Sequence, residues 1–202
     1  ALRGQHLVEE ALPPAPLLER HDAARVDLKA KTLEDGGSYL DVNPKGSVPA
    51  LTLDNGEVLT ENAVILQYLG DRAGGSDVLP AFGDFRRYRV LELTNFIATE
   101  LHKSFAPLFK PDAGDETKVF FRQQIAQRLD YIERKLGAGP FLMGNTLTIA
   151  DPYLFVISGW TDMLIGLNNW PNVTAFRQRM LQRASVRNVL RFEGLLEEEV
   201  AG

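Results

Sequence analysis

The chain has no cysteine, so within its 202 residues disulfides, thiolate metal sites and a cysteine nucleophile are excluded. Histidine is almost as scarce. His6, His21 and His102 are scattered without metal-ligand spacing, so no metal is expected. Long apolar runs are missing, and none approaches the ~18 residues of a membrane span. Basic blocks are missing too, and the net charge is −5. That balance argues against a general nucleic-acid binder. The beginning of the chain carries Arg3, Glu9, Glu10, Pro13 and Pro14, which is not a secretory signal. A soluble cytoplasmic protein is the expectation. No internal repeat or low-complexity tract is present.

What is there is ordinary globular material, 45% hydrophobic and 24% charged. The length allows one large domain or two small ones with a sizeable core. The informative stretch is Asn43-Pro44-Lys45-Gly46-Ser47-Val48-Pro49-Ala50-Leu51, then Asp54-Asn55-Gly56, then Leu59-Thr60-Glu61-Asn62. Proline and glycine punctuate a loop. A short apolar strand follows over 50–53. Asp-Asn-Gly is a strong hairpin signal. Thr60-Glu61-Asn62 opens a helix, whose first N–H groups attract a carboxylate. X-Pro is the bond type where cis is cheap, at roughly 0.5–1 kcal/mol. A cis Val48–Pro49 bond would turn the Val48 amide and carbonyl outward, free to pair antiparallel with an extended peptide.

The rest of the chain divides in two. Residues 25–28 read as a strand, followed by the basic stretch Lys29-Ala30-Lys31, and 38–42 as a short helix. The hairpin strands are 50–53 and 57–59. A helix over 61–72 shows Val64, Ile65, Tyr68 and Leu69 on its apolar side. Ala73-Gly74-Gly75-Ser76-Asp77 ends that helix, and a linker runs over 75–84. After it the pattern is helical throughout. Residues 85–109 read as one long helix with a buried stripe of Val90, Leu93, Ile97, Leu101 and Leu108. Glu92, Asn95, Thr99, His102 and Ala106 share a second, polar face suited to a wet cleft. Further helices are expected over 116–136, 153–165, 172–182 and 186–190, with a tail from 194. Thr148-Ile149-Ala150-Asp151 reads as a helix-start box, with the Thr hydroxyl capping an N–H and Asp151 reaching back.

The run Asn-Pro-Lys-Gly-x-Val-Pro-x-Leu, the hairpin and the Leu-Thr-Glu before an apolar helix resemble the glutathione-binding half of a glutathione S-transferase. With His102-Lys103 downstream, the chain is most similar to the bacterial beta class. The resemblance covers residues 25–198, about six-sevenths of the chain. It implies an α/β plus all-α fold: a thioredoxin-like glutathione-binding domain over 1–74, the linker 75–84, and a helical bundle over 85–202. The bundle would hold the electrophile pocket and the dimer contacts. Members of the class begin with a strand and then Tyr-x-x-Pro-Gly-x-Cys-Ser. Residues 1–24 do not match that pattern. Counted back without gaps from Asp27, Arg3-Gly4-Gln5-His6 falls where Pro-Gly-x-Cys is expected, and only the glycine agrees. The first strand and the residue nearest the sulfur are thus left open, with His6 one candidate.

Conjugation needs the thiolate. A thiol with pKa near 8.5 is only roughly 3% ionised at pH 7, and lowering it by about two units needs about 2.7 kcal/mol. One or two charge-assisted hydrogen bonds of roughly 1.5–3 kcal/mol each suffice. His102 and Lys103 are the candidate catalytic donors. The resemblance assigns the remaining roles. Val48, beside Pro49, pairs by backbone with the cysteinyl part of glutathione. Glu61 and Asn62 hold the γ-glutamyl end, Asn62 standing where the family usually has Ser or Gly. Lys31 takes the glycyl carboxylate, unless it is simply solvated. Asn95 reaches glutathione from the partner subunit, which implies a homodimer. Trp160 reads as core, with the wall of the electrophile pocket as its alternative. The function expected is conjugation of glutathione, a co-substrate, to small apolar electrophiles in detoxification. A non-catalytic protein that binds glutathione or hydrophobic ligands on the same fold is the alternative. A structural helper that uses the fold only to dimerise is a third, which the Val48-Pro49 and Glu61 features oppose.

Overall fold

The computed structural model describes residues 23–73 and 77–196. The comparison of Arg3-Gly4-Gln5-His6 with the family pattern, the role considered for His6, and the end of the tail lie outside the described residues. The first described elements are two small antiparallel hairpins. Strand β1 (Val26–Asp27) pairs with β2 (Thr32–Leu33), so the basic stretch between them is a turn. The sequence reading has no counterpart to β2, which is too short to show a period. Asp27 sets this turn, its Oδ1 accepting from the N–H of Lys29 at 2.8 Å and of Ala30 at 2.9 Å. Helix α1 (Tyr39–Val42) follows, then β3 (Ala50–Thr52) and β4 (Val58–Thr60), joined through Asp54-Asn55-Gly56. Gly56 takes φ +84°, a conformation that favours glycine and closes the hairpin.

Helix α2 (Asn62–Arg72) buries Ile65, Leu66 and Leu69, while Val64 remains 45% exposed. The buried face is therefore turned from the expected one: Leu66 replaces Val64. Ile65, Leu66 and Leu69 join Val78 and Leu79 and then the helices in one apolar core. Helix α2 packs closely against the helical half. A β-carbon on Gly70 would stand 2.8 Å from Leu79 Cβ and 3.0 Å from Ile149 Cγ2. Arg87, nearly buried, adds a paired contact to Asp71 at 2.7 and 2.9 Å and reaches the Pro80 carbonyl at 3.0 Å.

The long helix expected over 85–109 is three pieces. Helix α3 (Phe85–Phe96) is regular, with the Asp84 side chain capping its start. It widens into a π-helical turn over Ile97–Leu101 and then tightens into a 3-10 helix over His102–Phe109. Pro107, inside the last piece, has no N–H to give to a regular helical ladder. A periodic reading with one pitch cannot see such changes, because each shifts the phase of everything after it. Val90, Leu93, Ile97 and Leu101 are buried as expected, and Leu108 is half-buried. Of the second face, Glu92, Asn95, Thr99 and Ala106 are exposed, and His102 is turned partly inward.

Helix α4 (Asp115–Leu136) has acids in its first turn and bases in its last, complementing the helix dipole. Its Glu133 carboxylate accepts from the N–H groups of Asn172 and Val173 at 2.9 and 3.0 Å, satisfying the start of α6 (Pro171–Leu181). Helix α7 (Ala184–Phe192) closes the bundle. Helix α5 (Ala150–Leu164) runs through its centre, with Ala150 to Ser158 buried without interruption. At its start Asp151, fully buried, accepts from Leu142 N–H at 2.9 Å, Thr148 N–H at 2.7 Å and the Thr148 hydroxyl at 3.0 Å. The expected box is thus corrected in one respect. The threonine hydroxyl donates to Asp151 instead of capping an N–H.

Candidate active site

The loop of residues 43–49 is held by side chains that reach its carbonyls. The Ser47 carbonyl accepts from the Tyr39 hydroxyl at 2.7 Å and from the Asn43 amide at 2.6 Å, both donors being buried. The Asn43 side-chain oxygen accepts from Lys45 N–H at 3.1 Å. Lys31 Nζ donates to the Gly46 carbonyl at 2.6 Å, from a backbone at φ +59°. The loop thus leaves little freedom at Val48. The Val48–Pro49 peptide is cis. Among the described residues the Val48 N–H and C=O make no hydrogen bond. They form an unpaired edge just before β3.

Next to that edge stands the opening of α2. Glu61 sits just before the helix at φ +70°, and its carboxylate meets Lys45 Nζ at 2.6 Å. Lys45 holds the Glu61 carboxyl below its usual range by hydrogen bond and charge, and Lys103 adds to the effect. Lys103 belongs to the helical half, so a cation of that half faces the acid of the first. A second link crosses the same gap. The Tyr153 hydroxyl lies 2.7 Å from His102 Nδ1, and the Asn62 side chain approaches the same phenol from the mouth of α2.

His102 is packed among rings. Trp160 meets it edge-on with centroids 4.8 Å apart, and Tyr153 stands perpendicular at 5.7 Å. Phe105 and Phe109 pack edge-on against the same Trp160 at 5.9 and 5.1 Å. Burial, and after it the neighbouring Lys103 ammonium, push the His102 imidazole down from 6.5 to about 4. His102 is therefore neutral at pH 7, and a donor without a charge of its own; Lys103 supplies the positive charge. Burial also pushes the Tyr153 phenol up to about 12, against the Asn62 side chain and with the Glu61 carboxylate. Trp160 is 7% exposed and belongs to the core, where it is the wall behind His102.

Glu61 and Asn62 lie near Lys103 and Tyr153 of the helical half, Tyr153 in turn touches His102, and Lys45 ties the loop that carries Val48 and Pro49 to Glu61. Lys31 lies at the edge of this region with its ammonium already on the Gly46 carbonyl. Asn95 lies apart, on the exposed side of α3, with no side-chain hydrogen bond among the described residues. Tyr153 is not visible as a site residue in the sequence, because it lies in a run where nearly every neighbour is apolar. One signal is available: a buried tyrosine needs a partner for its hydroxyl. Tyr153 and Trp160, seven apart, share a face of α5, and both touch His102.

Comparison with known proteins gives the family. Residues 17–72 match the family described as glutathione S-transferase, N-terminal domain, and residues 99–191 match glutathione S-transferase, C-terminal domain. The chain is 43% identical over 171 residues to glutathione S-transferase GstA of Escherichia coli O157:H7, covering 84% of this chain and 85% of that protein. It superposes on a bacterial beta class glutathione S-transferase of Sphingomonas chungbukensis with TM-score 0.86 at 37% identity, over 96% of this chain and 94% of that one. A sphingomonad glutathione S-transferase complexed with glutathione gives TM-score 0.86 at 36% identity, with the same coverage. The fold is accordingly a thioredoxin-like domain followed by a helical domain, and the chain belongs to the glutathione S-transferase family, alongside its bacterial beta-class members.

Proposed function

We propose that the Val48 edge and the Glu61–Asn62 helix mouth dock glutathione, and that His102 and Lys103 stabilise its thiolate for attack on small apolar electrophiles. The chain is a transferase by family; the residue roles are our reading. One observation carries it. An unpaired backbone edge and an exposed carboxylate lie together on one half, and the carboxylate is within electrostatic reach of Lys103, the neighbour of the neutral His102, on the other. A peptide takes up such an edge by backbone pairing. The γ-glutamyl ammonium suits Glu61, and its carboxylate suits Asn62 and the first turn of α2. The sulfur is then directed across the gap, where His102 donates from its free ring nitrogen and Lys103 supplies positive charge. Lys31 fits the glycyl carboxylate after giving up the Gly46 carbonyl. The half-buried Leu108 and Phe109 suit an apolar second substrate.

The division of labour follows the chain: docking by residues 1–74, connection by 75–84, activation and the second substrate by 85–202. A homodimer completes the site, with Asn95 of the partner subunit reaching glutathione. The exposed placement of Asn95 on α3 supports this. The reaction belongs to the cytoplasm, where reduced glutathione is held, and to detoxification. The test is His102→Ala in a thiol-conjugation assay beside glutathione binding by calorimetry. Turnover is expected to fall roughly 10- to 100-fold, the scale of one lost donor to a charged group, with affinity within about threefold. Equal losses in both would overturn the activating role. Tight binding by the unaltered protein without turnover would replace the catalytic reading by a ligand-binding one.

A further inference from the structure

We propose that Tyr153 is a positioning residue: it fixes the tautomer of His102, so that Nε2 carries the ring proton and presents it to the glutathione sulfur. This rests on the reading of His102 given above.

The Tyr153 hydroxyl and His102 Nδ1 are 2.7 Å apart, a full hydrogen bond. At neutral pH the phenol keeps its proton and the imidazole has only one. Two arrangements satisfy that pair. Either the phenol donates to Nδ1 and Nε2 holds the ring proton, or Nδ1–H donates to the phenol oxygen and Nε2 is a bare acceptor. The contact made by the other nitrogen decides the tautomer of a neutral histidine.

The phenol itself separates the two. Tyr153 is buried, and among the described residues the hydrogen-bond partner of its hydroxyl is His102 Nδ1. If Nδ1–H donated to the phenol oxygen, the buried O–H would be left without an acceptor, which is costly; the phenol therefore donates. The line runs from Tyr153 O–H to His102 Nδ1 and ends at His102 Nε2–H. Among the described residues Nε2 has no hydrogen-bond partner of its own. The rings of Trp160 and Tyr153 hold the imidazole plane edge-on, so its far nitrogen keeps one direction.

The chemical consequence is that His102 is a donor and not a general base. The thiol S–H bond breaks with its proton passing to solvent water, and the electron pair stays on sulfur. Nε2–H then hydrogen-bonds the thiolate until that pair forms the bond to the electrophile, as a leaving group departs with its bonding pair or a π pair moves onto the electrophile and takes a proton from water. Asn62 begins α2, where the γ-glutamyl end docks, and its side chain lies near the same phenol, so docking in one half and activation in the other adjoin at Tyr153.

The test uses the full chain labelled with 15N-histidine. Long-range 1H–15N spectra at neutral pH, without glutathione, report which ring nitrogen of His102 is protonated. The signal is assigned by its loss in His102→Gln. The Nε2–H pattern is expected, and an Nδ1–H pattern overturns the proposal without any variant at Tyr153. In Tyr153→Phe the Nε2–H bias is expected to be lost. The thiolate absorbance of bound glutathione should then titrate about one pH unit higher, and kcat fall roughly tenfold, with KM for glutathione within about twofold. A Tyr153→Phe protein that melts earlier but keeps the tautomer and the thiol titration shows a merely structural tyrosine and overturns the proposal. If His102→Gln leaves the thiol titration unchanged, the sulfur-facing reading of His102 fails, and the ligand-free spectrum still decides the tautomer.

Discussion

The docking loop and the His102 cluster are built by opposite means. Residues 43–49 hold their shape through polar side chains that reach carbonyls, from Tyr39, Asn43 and Lys31. Little apolar surface is buried there. His102 is held instead by rings, with Tyr153 and Trp160 against it, Phe105 and Phe109 packed on Trp160, and, among the described residues, one side-chain hydrogen bond, to Tyr153. The difference matches the two tasks. A tripeptide recognised through its backbone needs an exposed edge with free N–H and C=O groups, and such an edge cannot be shielded by a core. Tuning a proton needs the reverse, because burial is what moves an imidazole far from its solution value. One half of the site is therefore wet and braced, the other dry and packed.

The contrast can be broken most severely at Asp151, which belongs to the packed half. Asp151→Ala leaves two buried N–H groups and a buried hydroxyl without their acceptor. A loss of about 3 kcal/mol or more in urea unfolding is expected. That corresponds to a fall in melting temperature of roughly 6–12 °C for a chain of this size. Below the transition, glutathione affinity should stay within about twofold; a large loss would mean that the two halves are not separate in their duties.

Protons sharpen the comparison next. His102 has a folded-state value of about 4, below its ordinary 6.5. The unfolded chain thus binds the extra proton first, and this group's stabilisation, present above pH 6.5, is lost as pH falls through 6.5 towards 4. Asp151 runs the other way. Burial raises it from 3.8 to about 6, so its contribution grows as pH falls from 6 towards 3.8. The two slopes oppose each other within the packed half. His102→Gln removes one of them. The variant should therefore gain on the unaltered protein by about 2–3 kcal/mol between neutral pH and pH 4, measured by denaturant unfolding at each pH. A stability difference independent of pH would show that His102 is not held neutral.

The smallest effects belong to the wet half. Glu61→Gln should weaken glutathione binding roughly 10- to 30-fold by calorimetry, the scale of one charge-assisted hydrogen bond. Its effect on unfolding should stay within about 0.5 kcal/mol, because the carboxylate and its partner Lys45 are both largely exposed. Lys45→Ala should change stability by no more than that. A melting shift for either as large as that of Asp151→Ala would erase the distinction.

Much of the wet half is legible in the sequence because its geometry is made by residues that allow few alternatives. Pro44, Gly46 and Pro49 mark the loop, Asp54-Asn55-Gly56 the hairpin, and Thr60-Glu61-Asn62 the helix mouth. All lie where those residues place them. The amphipathic helices of the second half are legible from period alone, apart from a few residues at their ends. Two things are not legible. The change of pitch over Ile97–Leu101 leaves no periodic trace, since five residues are too few to define a period. Tyr153 is hidden by its neighbours, because an apolar run gives no sign of which hydroxyl within it faces a gap. Lys31 lies beside the loop, but its hold on the Gly46 carbonyl depends on a positive φ that no pattern announces.

Gly70 has no side chain where α2 touches Leu79 and Ile149, and that bare spot ties the two halves to a common fate. Any larger residue would act as a wedge, tilting the acid of one wall away from the imidazole of the other. With Arg87 clasping Asp71 beside it, the joint between the two walls is held by packing and by charge at one place.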